Sequence, residues 1–172
     1  MLALPRRSLF VLLVCAPLAC GDGGGEPPAE AAAPVTDPAE LTYSAELQVD
    51  LAAMSLSETG LYTRTLREGT GSEPAMPGDT LGLHYTGWLP DGTQFDSSRD
   101  GDPFEIVLRV SRLIEGWPEG LEGMVEGEVR QLVIPPVLGY GAGGAGTAIP
   151  PHATLVFEVE LVSRRAGRPP GA

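Results

Sequence analysis

Seven side chains in this sequence have the size and polarity to handle a ligand: Tyr85, Phe95, Asp96, Phe104, Trp117, Tyr140 and Phe157. Covalent chemistry has few other carriers. All eleven basic residues are arginine, which excludes lysine Schiff-base chemistry. Both cysteines, Cys15 and Cys20, lie in the N-terminal segment, so the body of the chain has no thiol, disulfide or cysteine metal site. His84 and His152 stand alone and far apart, the wrong pattern for a metal site or an acid–base pair. The glycine-rich run 141–146 lacks the Lys and Ser/Thr of a phosphate loop and reads as a flexible flap. What remains is a group of aromatics with one acid and a phenol, Tyr140, that stands between Gly139 and Gly141 where it has little reason to be buried. Phe104, Phe157 and Trp117 fit equally well as core, and Asp96 before Ser97 and Ser98 as a turn former.

The elements that would carry these side chains are mostly strands. Residues 61–66 and 80–88 mix β-formers with alternation, and Pro90-Asp91-Gly92 then supplies a turn. Residues 103–108 form another short strand. In 128–134, Val129, Gln131 and Val133 share one face and Arg130, Leu132 and Ile134 the other. In 154–162, Leu155, Phe157, Val159 and Leu161 face one way, with Glu158 and Glu160 opposite. One helical signal interrupts the strands: Trp117, Leu121 and Met124 recur at helical spacing, with Pro118 in the first turn and Glu119 and Glu122 toward water. Gly116, Gly120, Gly123 and Gly127 bracket and dilute it, so the helix is short. The expected fold is α+β, a twisted antiparallel β-sheet of about five strands wrapped around one short α-helix. Residues 47–54 are ambiguous: Leu47, Val49 and Leu51 alternate, while Leu47, Leu51 and Met54 have helical spacing.

A length of 172 residues leaves room for one domain plus short extras, and Gly 23 with Pro 17 indicates many turns and some unstructured length. Arg6 and Arg7 precede an apolar run, 9–19, that is too short for a bilayer core of about 30 Å and ends in a small residue. Residues 1–19 therefore read as a secretory signal peptide. Pro17-Leu18-Ala19-Cys20 resembles a bacterial lipobox, in which the new N-terminal cysteine is acylated, with Pro17 where Leu is usual. An ordinary cleaved signal with a chance cysteine is the alternative. The expectation is an exported lipoprotein, lipidated at Cys20, anchored to a membrane and facing the periplasm or the cell exterior. Residues 20–40 read as the lipidated cysteine and a disordered linker, 41–59 as an N-terminal extension, 60–163 as the folded domain and 164–172 as a disordered tail. The formal net charge of −12 repels phosphate backbones, so no nucleic-acid partner is expected.

Four blocks in order, HYTGWLPDGTQFDSSRD at 84–100, PFEIVL at 103–108, LIEGWPEGLEGM at 113–124 and LGYGAGGAGTAIPPHATLVFEVEL at 138–161, resemble the signature blocks of FKBP-type peptidyl-prolyl cis-trans isomerases. The resemblance spans 60–162 and implies an FKBP-like sheet curled around the helix, with a shallow apolar pocket between them. It implies Trp117 as the pocket floor and Tyr85, Phe95, Phe104, Leu113, Ile114, Ile149 and Phe157 as walls. It also implies Tyr140 and the N–H of Ile114 as donors to substrate carbonyls, and Asp96 beside the twisting amide; Tyr85, Asp96, Tyr140 and Phe157 form the catalytic group. No cofactor or metal is implied. The implied partners are Pro-containing polypeptides, macrolide inhibitors and, through the lipid, a membrane. The chain is expected to be a monomer, with dimerisation through 41–54 as the alternative. A non-catalytic module that captures Pro-containing segments is the competing function, and the presence of Asp96, Tyr140 and Trp117 together favours the enzyme. Three departures from the family pattern stand out. Gly101 occupies a place where an Arg often pairs with the Asp96 equivalent, leaving Arg99 as the candidate substitute; residues 108–112 lack the usual turn glycines; and Ile106, Ala145 and Ala148 are small enough to thin the pocket rim.

Overall fold

The structure, a computed structural model, describes residues 37–167, all within the compact unit Pro34–Ala172. The signal peptide, Cys20, most of the expected linker and residues 168–172 lie outside the described residues.

Strand β3 (Thr80–Trp88) is the spine of the sheet. One of its edges pairs with β7 (Leu155–Arg165) throughout, from Thr80 opposite Arg165 to Trp88 opposite Val156. The other edge is divided: residues 80–83 pair with β5 (Phe104–Val107) and residues 86–88 with β4 (Gln94–Ser97). Tyr85 falls in the gap between those two pairings. On the far side of β7 lie β6 (Val129–Ile134), β2 (Tyr62–Arg67) and β1 (Ser55–Leu56), and every pairing is antiparallel. The sheet thus has seven strands where about five were expected. The additions are β1, two residues long, and β4, whose Asp-Ser composition reads as a turn but which pairs with β3 across a register shift.

Helix α1 (Gly116–Leu121) lies on one face of this sheet. Trp117, Leu121 and the following Met124 pack with Leu81, Leu83, Leu132, Ile134, Leu155, Phe157, Val159 and Leu161 in one core. The glycines that weaken α1 as a helix are what let it lie so close. A Cβ on Gly116 would come within 2.7 Å of Ile134, and one on Gly120 within 2.7 Å of Leu132. Close approach outweighs the propensity cost of about 1 kcal/mol per glycine.

The opposite face is covered by the chain's own N-terminal segment. Residues 47–54 are neither strand nor α-helix: 3₁₀ turns at Ala45–Leu47 and Leu51–Ala53 flank a left-handed Gln48. Leu47 packs on Val133 and Val156, with Tyr43, Val49, Leu51 and Met54 around them. Gln131 Nε2 donates to the Leu47 carbonyl at 2.8 Å, Arg64 to that of Gln48 at 2.7 Å, and the Ser44 N–H to that of Pro90 at 2.8 Å. This strap accounts for the burial of both faces of β6.

At the far end, β7 runs through Arg165, so the frayed tail expected from residue 164 does not begin there. Arg164 donates to buried Asp79 at 2.6 Å, and the same carboxylate accepts from the Gly167 N–H at 2.8 Å and the Met76 N–H at 2.9 Å. Burial alone would push the Asp79 carboxyl up; the two N–H groups and the guanidinium outweigh it and hold the group below the usual carboxylate range.

Candidate functional site

A cavity of about 530 Å³ opens where the divided edge of β3 meets the start of α1. Its floor is Trp117, 4% exposed. The Tyr85 ring stands edge-on to the indole at 5.0 Å and 83°, and the Phe157 ring at 5.4 Å and 90°. Phe95 stands edge-on to Phe157 at 5.4 Å, and Phe104 to Tyr85 at 5.8 Å. These perpendicular contacts suit the quadrupoles of the rings and fix the indole from several sides. Gly87 makes the arrangement possible: a Cβ there would lie 2.6 Å from Phe157 and 2.7 Å from Phe95.

Asp96 reaches the cavity from β4. Its Oδ2 accepts from the Tyr85 hydroxyl at 2.7 Å and its Oδ1 from the Ser97 N–H at 2.9 Å. Burial pushes the Tyr85 phenol well above the ordinary tyrosine value, and the bond to Asp96 adds to this. Tyr85 therefore stays a protonated donor. Arg99 does not substitute for the missing arginine. It turns across the sheet to Glu158 at 2.8 Å and Glu160 at 3.2 Å, where Glu160 also meets Arg67. Asp96 consequently has a phenol and an amide as partners, and no cation among the described residues.

Leu113 and Ile114, in the segment before α1, line the cavity, and Tyr140 and Gly139 line it from the segment after β6. The N–H of Ile114 and the hydroxyl of Tyr140 have no hydrogen-bond partner among the described residues. Tyr140 is 43% exposed and Phe104 40% exposed, so neither is a core residue. Trp117 and Phe157 serve as both core and wall.

Ile149, also expected as a wall, packs in the same core cluster as Trp117 and Phe157. Its backbone pairs with that of Ala145 in both directions, at 2.9 and 3.1 Å, closing the glycine-rich run into a small hairpin, and its side chain joins the core at 5% exposure. Ile106 is buried in the core and Ala145 packs against it. The turn without glycines forms because Arg109 itself adopts φ 62, while the N–H groups of Val110 and Ser111 both reach the Val107 carbonyl. Arg112 and Glu115 line the cavity but escaped the sequence reading, since a charged residue in a turn carries no signal of the direction it faces. Among the described residues, no group of three or more His, Cys, Asp or Glu side chains could hold a metal ion.

An aromatic cavity with a carboxylate–phenol pair and two unengaged donors, on a sheet with one short helix, defines a class of protein, and comparison with known sequences identifies it. Residues 71–162 match the family described as FKBP-type peptidyl-prolyl cis-trans isomerase. The chain belongs to this family and is an enzyme of its type. It is 56% identical over 104 residues to the FK506-binding protein of Neisseria meningitidis serogroup B, covering 60% of this chain and 94% of the relative. It is 58% identical over 86 residues to peptidyl-prolyl cis-trans isomerase FKBP2 of Mus musculus, covering 49% of this chain and 61% of the relative. Among solved structures it is similar to FkpA from Escherichia coli, with a TM-score of 0.60, 39% identity and coverage of 67% of this chain and 53% of that one. It is likewise similar to AtFKBP13, with a TM-score of 0.61, 34% identity and coverage of 65% of this chain and 98% of that one.

Proposed function

We propose that this chain accelerates X–Pro isomerisation in exported proteins by taking the amide out of water and holding it twisted over Trp117. The observation that carries the reading is the pairing of an apolar aromatic floor with donors that the fold leaves unengaged, the Ile114 N–H and the Tyr140 hydroxyl.

Amide resonance sets a barrier of about 18–20 kcal/mol, and the uncatalysed reaction takes tens to hundreds of seconds. No bond to a nucleophile forms, so the site needs none. A ~10⁴-fold acceleration requires about 5–6 kcal/mol, at ~1.36 kcal/mol per tenfold. The planar amide has a large dipole from charge separation, and the twisted one loses much of it. Transfer to an apolar cavity therefore costs the planar form more than the twisted form, a difference that acts on the rate. Donors to the carbonyls flanking the bond then hold the turn-like conformer in which rotation is easiest. Asp96, fixed by Tyr85, places a negative oxygen at the cavity edge near the rotating group.

Pro-containing polypeptides are the substrates in this reading, and macrolides of the FK506 type compete for the same cavity. Export rests on the signal-like residues 1–19, and the anchor on Cys20, which places the enzyme on a membrane facing the periplasm or the cell exterior. Slow proline steps in proteins refolding outside the cytosol give it a task. A protease-coupled Pro-peptide assay, run with and without a macrolide, tests the activity: macrolide-sensitive acceleration is expected. Retained peptide binding with no acceleration would make the chain a capture module instead.

A further inference from the structure

The sequence contains arginine but no lysine, and the fold gives almost every described arginine an acceptor. Arg67, Arg99 and Arg109 pair with Glu160, Glu158 and Glu122. Arg130, Arg164 and Arg165 pair with Glu128, Asp79 and Glu105. Arg64 donates to the Gln48 carbonyl and to Gln131. Arg112 alone among the described arginines has no acceptor, and it is the one that lines the cavity. It also borders an adjoining hollow of about 300 Å³ with Arg109, Ser111 and Pro118, so it sits where the main cavity continues along the surface.

In a chain of formal charge −12, carboxylates to neutralise an arginine are plentiful. Glu115, three positions on, lines the same cavity and the same hollow, yet makes no ion pair with Arg112. Asp96, also in the cavity, is engaged by Tyr85 and Ser97. Arg112 is therefore an exposed cation at the cavity border with no acceptor among the described residues. A carboxylate on the substrate, close to the proline, would give it the partner that the fold does not supply.

We infer that Arg112 is a specificity-determining residue that favours substrates with an acidic side chain next to the X–Pro bond. The inference rests on the isomerase reading of the same cavity and adds a substrate class to it. Arg112 is exposed, so the effect is modest: about two- to fivefold in kcat/KM, the range for an exposed ion pair, and sensitive to salt. Glu115 and Asp96 oppose it, so the measurable quantity is the change on removing Arg112 rather than the absolute preference.

The test measures kcat/KM by NMR exchange on matched peptides with Glu-Pro, Gln-Pro or Leu-Pro, using the wild type, Arg112→Gln, Arg112→Glu and Arg67→Gln. The Glu/Gln ratio is taken within each enzyme, so any general loss of activity cancels. Arg67→Gln removes the same charge away from the cavity. The expected result is a ratio about two- to fivefold lower in Arg112→Gln, lower again in Arg112→Glu and unchanged in Arg67→Gln. The difference should also shrink between about 0.02 M and about 0.5 M salt. An equal ratio in wild type and Arg112→Gln, or an equal fall in Arg67→Gln, would overturn the inference. Failure of the wild type to accelerate the Leu-Pro peptide would instead strike at the isomerase reading.

Discussion

Asp96 is held by neutral donors, the Tyr85 hydroxyl and the Ser97 amide, and this makes it the most informative residue to change. Replacing it with Val keeps a β-former in β4 and removes the charge, so activity is expected to fall about 10- to 100-fold with folding retained. Tyr85→Phe deletes one hydrogen bond and leaves the ring stack; a fall of about three- to tenfold is expected, near the worth of one such bond. Peptide turnover alongside far-UV circular dichroism checks both. Because burial keeps the Tyr85 phenol protonated above its ordinary value, activity should not decline as pH passes 10.0 through ionisation of this group.

The elements show what could be read from the residues and what could not. β3 and the helix-side face of β7 were legible because alternation survives where one face packs on a helix. Leu155, Phe157, Val159 and Leu161 all reached the core. The strap over 47–54 was not legible, since its apolar residues follow the shape of Val133 and Val156 and no repeat of its own. β4 was hidden by turn-like composition, since Asp96 before Ser97 and Ser98 reads as a turn former. Leu47→Ala should cost about 2 kcal/mol in denaturant melts and leave turnover intact, because the strap lies on the face away from the cavity. Gly120→Ala forces a Cβ against Leu132 and should cost about 1–3 kcal/mol by overpacking. Asp79 ties β7 to the loop before β3 and has a lowered value in the fold. Its stabilising effect is therefore complete above the unfolded carboxyl value near 3.8 and lost as pH falls toward the lower folded value. Melts of wild type and Asp79→Asn should converge at the acid end.

For the whole molecule, the reading joins an enzyme to an address. The apolar residues of the strap are used on the chain's own sheet, so the deacylated protein is expected to scatter light as a monomer. A labelled fatty acid fed to expressing cells should mark the wild type and leave Cys20→Ser unmarked; label on neither would overturn the lipid anchor. The most direct measurement is the cis–trans exchange rate of a Leu-Pro peptide with catalytic amounts of wild type and of Asp96→Val. Wild type should raise the rate by several orders of magnitude, and the folded variant should lose most of that gain. A peptide that binds the wild-type cavity but still interconverts at its uncatalysed rate would contradict catalysis by desolvation and twisting over Trp117.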